Sequence, residues 1–169
     1  IALTTNDFEE AQSYAEEMLT AGEQSGDRLI SAAGHYFSGV VSRLTSNTAT
    51  TKMHIYEAAR YLENYGSQWT NAYVLRELGQ IELSEANLTS AKTHLKKSVS
   101  IFEDFGDIGN GAATLLLLGT THFKIGDIWL AVSCYYEALE QSTIVHALSV
   151  TLDALVEIAL LLLGESELA

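Results

Sequence analysis

Glycine recurs on a fixed period: Gly39, Gly79 and Gly119 are spaced by 40, and Gly26, Gly66 and Gly106 repeat the same interval. Two ladders sharing one period mean copies of a single unit. This restricts the fold before any propensity is weighed, because such a unit cannot bury its apolar face alone and must stack on its neighbours. A third ladder, Asp7, Asn47, Asn87 and Asp127, puts a side-chain oxygen where a helix would begin, able to accept from the unpaired N–H groups of its first turn. Four residues later stand the small residues Ala11, Thr51, Ala91 and Ala131. Then follow three columns: Ala15, Ile55, Leu95, Tyr135; Met18, Ala58, Ser98, Ala138; and Leu19, Ala59, Val99, Leu139. These offsets of four, seven and eight trace one face of a helix. Before each cap a second pattern repeats, with Leu75, Leu78, Gly79 and Ile81 matched by Leu115, Leu118, Gly119 and Thr121. Each unit therefore reads as two helices.

The absence of proline among 169 residues agrees, since proline breaks helix interiors and collects in loops and at strand edges. The spacing predicts helices over roughly 7–25, 27–45, 47–65, 68–85, 87–105, 107–125, 127–143 and 145–163. "TIVHALSVTLDALVEIALLLLG" is interrupted by His146, Asp153 and Glu157, and its apolar runs fall short of the roughly 18–20 residues that cross a bilayer. It is expected to be a buried helix. A net charge of −13 repels phosphate backbones and anionic headgroups, so neither nucleic acid nor a membrane is an expected partner. One cysteine, Cys134, allows no internal disulfide, and no signal peptide is visible in "IALTTNDFEE", which makes the cytoplasm the expected compartment.

"ELGQIELSEANLTSAKTHLKKSV" and "LLGTTHFKIGDIWLAVSCYYEAL" resemble tetratricopeptide repeats. In the second, Leu118, Gly119, Gly126, Asp127, Ala131, Tyr135, Ala138 and Leu139 fit the family's pattern. The resemblance covers essentially the whole chain and implies an all-α fold, a right-handed α-α superhelix of antiparallel helix pairs forming one solenoid over 1–169. The period departs from the common repeat of about 34. The links "NYGS" and "DFGD" lack the usual proline, which is similar to repeats of bacterial signal-transduction ATPases and transcriptional regulators, peptide-sensing regulators and spindle-orientation adaptors. "IALTTND" aligns with "THFKIGD", and "LLLLGESELA" with "HFKIGDIWLA". A fragment of a longer array is therefore expected, with an apolar helix exposed at 154–163 and an end-to-end homodimer as one assembly.

The resemblance also implies that the first helix of each unit lines a concave groove. By alignment the groove positions include Tyr36, Arg43, Tyr73, Arg76, Gln80, Phe123 and Lys124. Second helices carry most of the acid, including Glu9, Glu16, Glu57, Glu103 and Glu137, so the groove is the less acidic face. The implied ligand is a protein or peptide, acidic or C-terminal, with Arg76 forking a carboxylate and Tyr36 and Tyr73 giving rigid apolar contact. The competing reading is that the cations offset local acids such as Glu77 and Glu82. Arg76 and Gln80 stand where chaperone-binding members carry a Lys-Asn carboxylate clamp, so that ligand is not implied.

His54, His94 and Cys134 share one repeat column but belong to successive units, too far apart to share an ion. No metal or cofactor is expected. "FGDIGNG", with Gly106, Gly109 and Gly111, superficially suggests a phosphate cradle, but no strand or lysine follows as a nucleotide loop would require. Gly106 belongs to the repeated link and reads as a helix C-terminus. Nucleophile elbows, His-Glu-x-x-His and Cys-x-x-Cys motifs are all missing from the sequence, which points away from an enzyme. The expected function is a non-enzymatic interaction module; the alternative is a sensor arm of a larger ATPase or transcriptional regulator.

Overall fold

The computed structural model describes residues 8–63 and 68–166. All regular structure among the described residues is helical: α1 Phe8–Ser25, α2 Arg28–Leu44, α3 Thr48–Leu62, α4 Gln68–Ser84, α5 Leu88–Asp104, α6 Ile108–Ile125, α7 Ile128–Ile144 and α8 Leu148–Ser166. The expected cap Asp7, the helix end at Tyr65 and the link glycine Gly66 lie outside the described residues. The chain divides into two compact units at Leu78/Gly79, inside α4.

In the first unit α1 packs on α2 and α2 on α3; in the second α5 packs on α6, α6 on α7 and α7 on α8. The packing is antiparallel. Gly22 abuts Ser31 while Gly34 abuts Leu19, and Gly111 faces Gln141 while Gly119 faces Tyr135. One contact recurs with the sequence period: a β-carbon on Gly39, Gly79 or Gly119 would meet Ile55, Leu95 or Tyr135 at 2.6, 2.5 and 2.5 Å. The glycine ladder is thus the site where a large side chain of the next helix lies against bare backbone. Ile55, Leu95 and Tyr135 are buried in consequence, flanked by the buried columns Thr51, Ala91, Ala131 and Ala58, Ser98, Ala138. Leu115 and Leu118 join Leu95, Val99, Ala138 and Ala154 in one apolar cluster of the second unit.

The links repeat on half the period. Gly26, Ser46, Ala86, Gly106, Gly126 and His146 all have φ between 56° and 94°, the left-handed region. After each, the next residue's N–H closes a bond five residues back, as in Asn47 to Ser42, Asn87 to Glu82, Asp107 to Phe102 and Asp127 to His122, at 2.8–2.9 Å. This is the Schellman end, which satisfies otherwise orphaned carbonyls. The expected cap bonds form only in part. Asn47 accepts from Thr50 N–H, but Asn87 and Asp127 make no side-chain cap bond. Asp127 instead faces His122 at 3.4 Å, while Asp27 and Asp107 do cap α2 and α6.

Helix α8 departs from the burial expected of the segment 143–164 and agrees with the exposed apolar helix expected at 154–163. Among its described side chains Ala154 alone is buried, and Leu148, Leu152, Leu155, Val156, Leu160, Leu162 and Leu163 are exposed. Its contacts are with α7 and, less extensively, α6. No described helix is long and apolar enough to cross a membrane.

Candidate functional site

The first unit assembles an aromatic shelf from α2 and α4. Along α4, Trp69, Tyr73 and Arg76 follow at spacings of four and three, which brings them to one helix face. Trp69 meets Tyr73 edge-on with ring centroids 5.0 Å apart, and Tyr36 of α2 meets Tyr73 edge-on at 5.8 Å. Phe37 adds a third edge contact, 5.2 Å from Tyr36. Such T-shaped pairs match the positive edge of one ring to the negative face of the next and hold both rings rigidly.

Arg76 lies over this shelf. Its guanidinium carbon sits 5.3 Å from the Tyr73 ring centre, and its side chain also hydrogen-bonds to Tyr36. Burial pushes the Tyr36 phenol above its ordinary value; the positive charge of Arg76 pulls the other way without prevailing. The phenol is therefore neutral at physiological pH, and its oxygen can accept from Arg76. Trp69 and Phe37 remain 45% and 43% exposed, so the shelf offers apolar area to an incoming group.

Arg43, expected in the groove, is paired with a neighbouring acid. Its Nε donates to Glu77 Oε2 at 3.0 Å, and the Glu77 side chain is only 3% exposed. It offsets a local acid, as the competing reading supposed for such cations. Glu82 in the second unit is likewise buried and meets His94 Nδ1 at 2.7 Å. Of the other expected residues, Gln80 is half-buried and Phe123 and Lys124 are exposed, all three in the second unit. The shelf is built without them. Sequence reasoning missed Trp69 and Phe37, and named Glu77 only as a local acid that the groove cations would offset. Two of these carried a signal: Trp69 precedes Tyr73 by four residues and Glu77 follows it by four, positions that share its helix face.

No group of three or more His, Cys, Asp or Glu side chains among the described residues is arranged to hold a metal ion. The column of His54, His94 and Cys134 is divided among separate neighbours, His54 facing His35 and His94 facing Glu82. Burial, reinforced by Glu137, pushes the Cys134 thiol up, the wrong direction for a reactive thiolate. The shelf sets rigid apolar area beside a planar cation. No protein-family model matches the chain, and no curated protein matches it either.

Proposed function

We propose that this chain is a non-enzymatic interaction module of the tetratricopeptide type, whose first unit binds a peptide or partner segment on the α2–α4 shelf. The observation that carries the reading is the assembly of Tyr36, Tyr73, Trp69 and Arg76 into one partly exposed cluster. Rigid aromatics give contact area at little conformational cost, and a guanidinium held over a ring is pre-oriented for a carboxylate. Arg76 supplies the charge, Trp69 and Tyr73 the apolar contact, and Arg43 holds α2 to α4 from within.

Selection from a random peptide library, followed by fluorescence anisotropy on the selected sequences, tests this. The expected ligands carry an Asp, a Glu or a free C-terminus next to an apolar residue. Arg76→Ala should weaken them about tenfold or more, the range for losing a charge-assisted pair. Arg76→Lys should restore little, because an ammonium cannot fork a carboxylate. Ligands that bind equally well to Arg76→Ala and Trp69→Ala would show that the shelf is not the binding surface.

A further inference from the structure

His35 of α2 and His54 of α3 bring their Nδ1 atoms to 3.0 Å. Their ring centroids are 5.3 Å apart, which is the nitrogen separation plus one ring radius at either end. The two nitrogens therefore face one another head-on along the line joining the rings. That alignment decides what can lie between them. A transition-metal ion needs both lone pairs to converge on a point about 2.0–2.1 Å from each nitrogen, to one side of that line. A proton needs a donor N–H aimed straight at an acceptor lone pair. The geometry fits the proton.

We infer that His35 and His54 form a one-proton clasp between α2 and α3, closed while a single proton lies between the two Nδ1 atoms and opened when a second is forced in. In the closed clasp one ring is the Nδ1–H tautomer and the other the Nε2–H tautomer. A first added proton goes to the outer Nε2 of the donor ring and leaves the bond intact, now charge-assisted. A second can reach only the acceptor Nδ1, which would set two N–H groups head to head at 3.0 Å on two cations. The contact must then break.

The surroundings resist protonation of both rings. Burial lowers the proton affinity of His35 first and the charge of His54 second; Glu57 of α3 raises it, Arg60 of α3 lowers it and Glu23 of α1 raises it. Tyr61 of α3 stacks on the His35 ring at 5.6 Å. His54 is lowered by burial. Glu57 is engaged by Arg60 at 2.6 Å, so it is not a free counter-charge for a doubly protonated pair. Both rings are half-buried, which leaves water a route to them. Because both folded values lie below the unfolded one, the unfolded chain binds more protons there. The clasp's contribution is full above about pH 6.5 and declines as pH falls through the lower folded values. Mild acid thus loosens α2 from α3 near His35, while the Gly39–Ile55 contact is untouched by protons.

Imidazole ¹⁵N NMR on the native protein, titrated from pH 8 to 4.5, tests this without a substitution. One ring should appear as the Nδ1–H tautomer and another as Nε2–H at high pH. The pair should then titrate in two steps about tenfold or more apart in proton affinity. His54→Gln and His35→Gln assign the signals, and each should flatten the acid loss of thermal stability seen in the native chain. Added zinc chloride at stoichiometric concentration should leave both rings unchanged. Two rings of the same tautomer titrating independently would overturn the clasp, as would both Nδ1 signals shifting together on zinc addition.

Discussion

A methyl group placed on Gly119 would sit 2.5 Å from Cε1 of the buried Tyr135 ring and 3.2 Å from Cβ of Cys134, atoms that cannot swing aside. Overpacking of this kind costs about 1–3 kcal/mol, against a gain of up to about 1 kcal/mol from replacing a mid-helix glycine by alanine. Gly119→Ala should therefore lose stability, and Gly119→Leu should lose more. Gly109 is the control, since its nearest neighbour would be a Val145 methyl at 3.8 Å, ordinary contact. Gly109→Ala should gain about 0.5–1 kcal/mol. Urea unfolding of both variants checks the contrast, and equal effects would mean that the 40-residue ladder is not a packing site. Ala86 poses the opposite question at φ 61°, where a β-carbon costs about 1–2 kcal/mol. Ala86→Gly should raise the melting temperature, and a fall would show that the link tolerates alanine without strain. The sequence exposed the glycine ladders but not the full set of turns. Ser46, Ala86 and His146 occupy the same left-handed position as Gly26, Gly106 and Gly126 without being glycine, so glycine alone does not mark those three links.

Among the helices, α2 and α4 are joined by Arg43 and Glu77, and the two partners differ in exposure. The Glu77 side chain is 3% exposed and that of Arg43 36%. Removing the arginine leaves a carboxylate buried, a loss of about 3–5 kcal/mol for a fully buried pair. Solvent access to Arg43 reduces this to about 1–2 kcal/mol. Arg43→Met should destabilise by that amount, and adding Glu77→Leu should recover part of it, because an apolar pair leaves no stranded charge. Denaturant unfolding of the single and double variants measures the coupling; a neutral Arg43→Met would place the two charges outside each other's influence. The helices themselves were legible, since periodicity reports which face is buried. The ion pair was not, because Arg43 and Glu77 lie 34 residues apart and no repeat column links them. His35 and His54, 19 apart, were hidden for the same reason. Helix α8 was half legible: the repeat alignment left its apolar residues at 154–163 exposed, as most of them are, while the burial read from composition did not hold. Its composition reads as core, but burial depends on what packs against a helix, and α7 and α6 cover little beyond Ala154.

For the chain as a whole, 22 acidic residues against nine basic ones dominate the long-range field. Glu9, Glu10, Glu16, Glu17 and Glu23 on α1, Glu103 and Asp104 on α5, and Glu137 and Glu140 on α7 are exposed, so their mutual repulsion opposes compactness through water. Salt screens such charges, the Debye length falling from about 30 Å at 0.01 M to about 8 Å at 0.15 M. Relief of about 1 kcal/mol corresponds to a rise of about 2–4 °C in melting temperature for a chain of this size. Thermal melts in rising sodium chloride at pH 7.5 should show that increase and then level off. A melting temperature independent of salt would mean that the acidic helices are already compensated by their neighbours. The same measurement separates global from local electrostatics. Surface repulsion fades with salt, whereas the contacts of Arg43 with buried Glu77 at 3.0 Å and of His35 with His54 at 3.0 Å still lie inside the Debye length of about 4 Å at 0.5 M. At 0.5 M salt the cost of Arg43→Met and the acid sensitivity due to the histidines should persist while the general salt response is exhausted. Charge balance was readable from composition alone; which charges are spent on neighbours came from how the helices fold together.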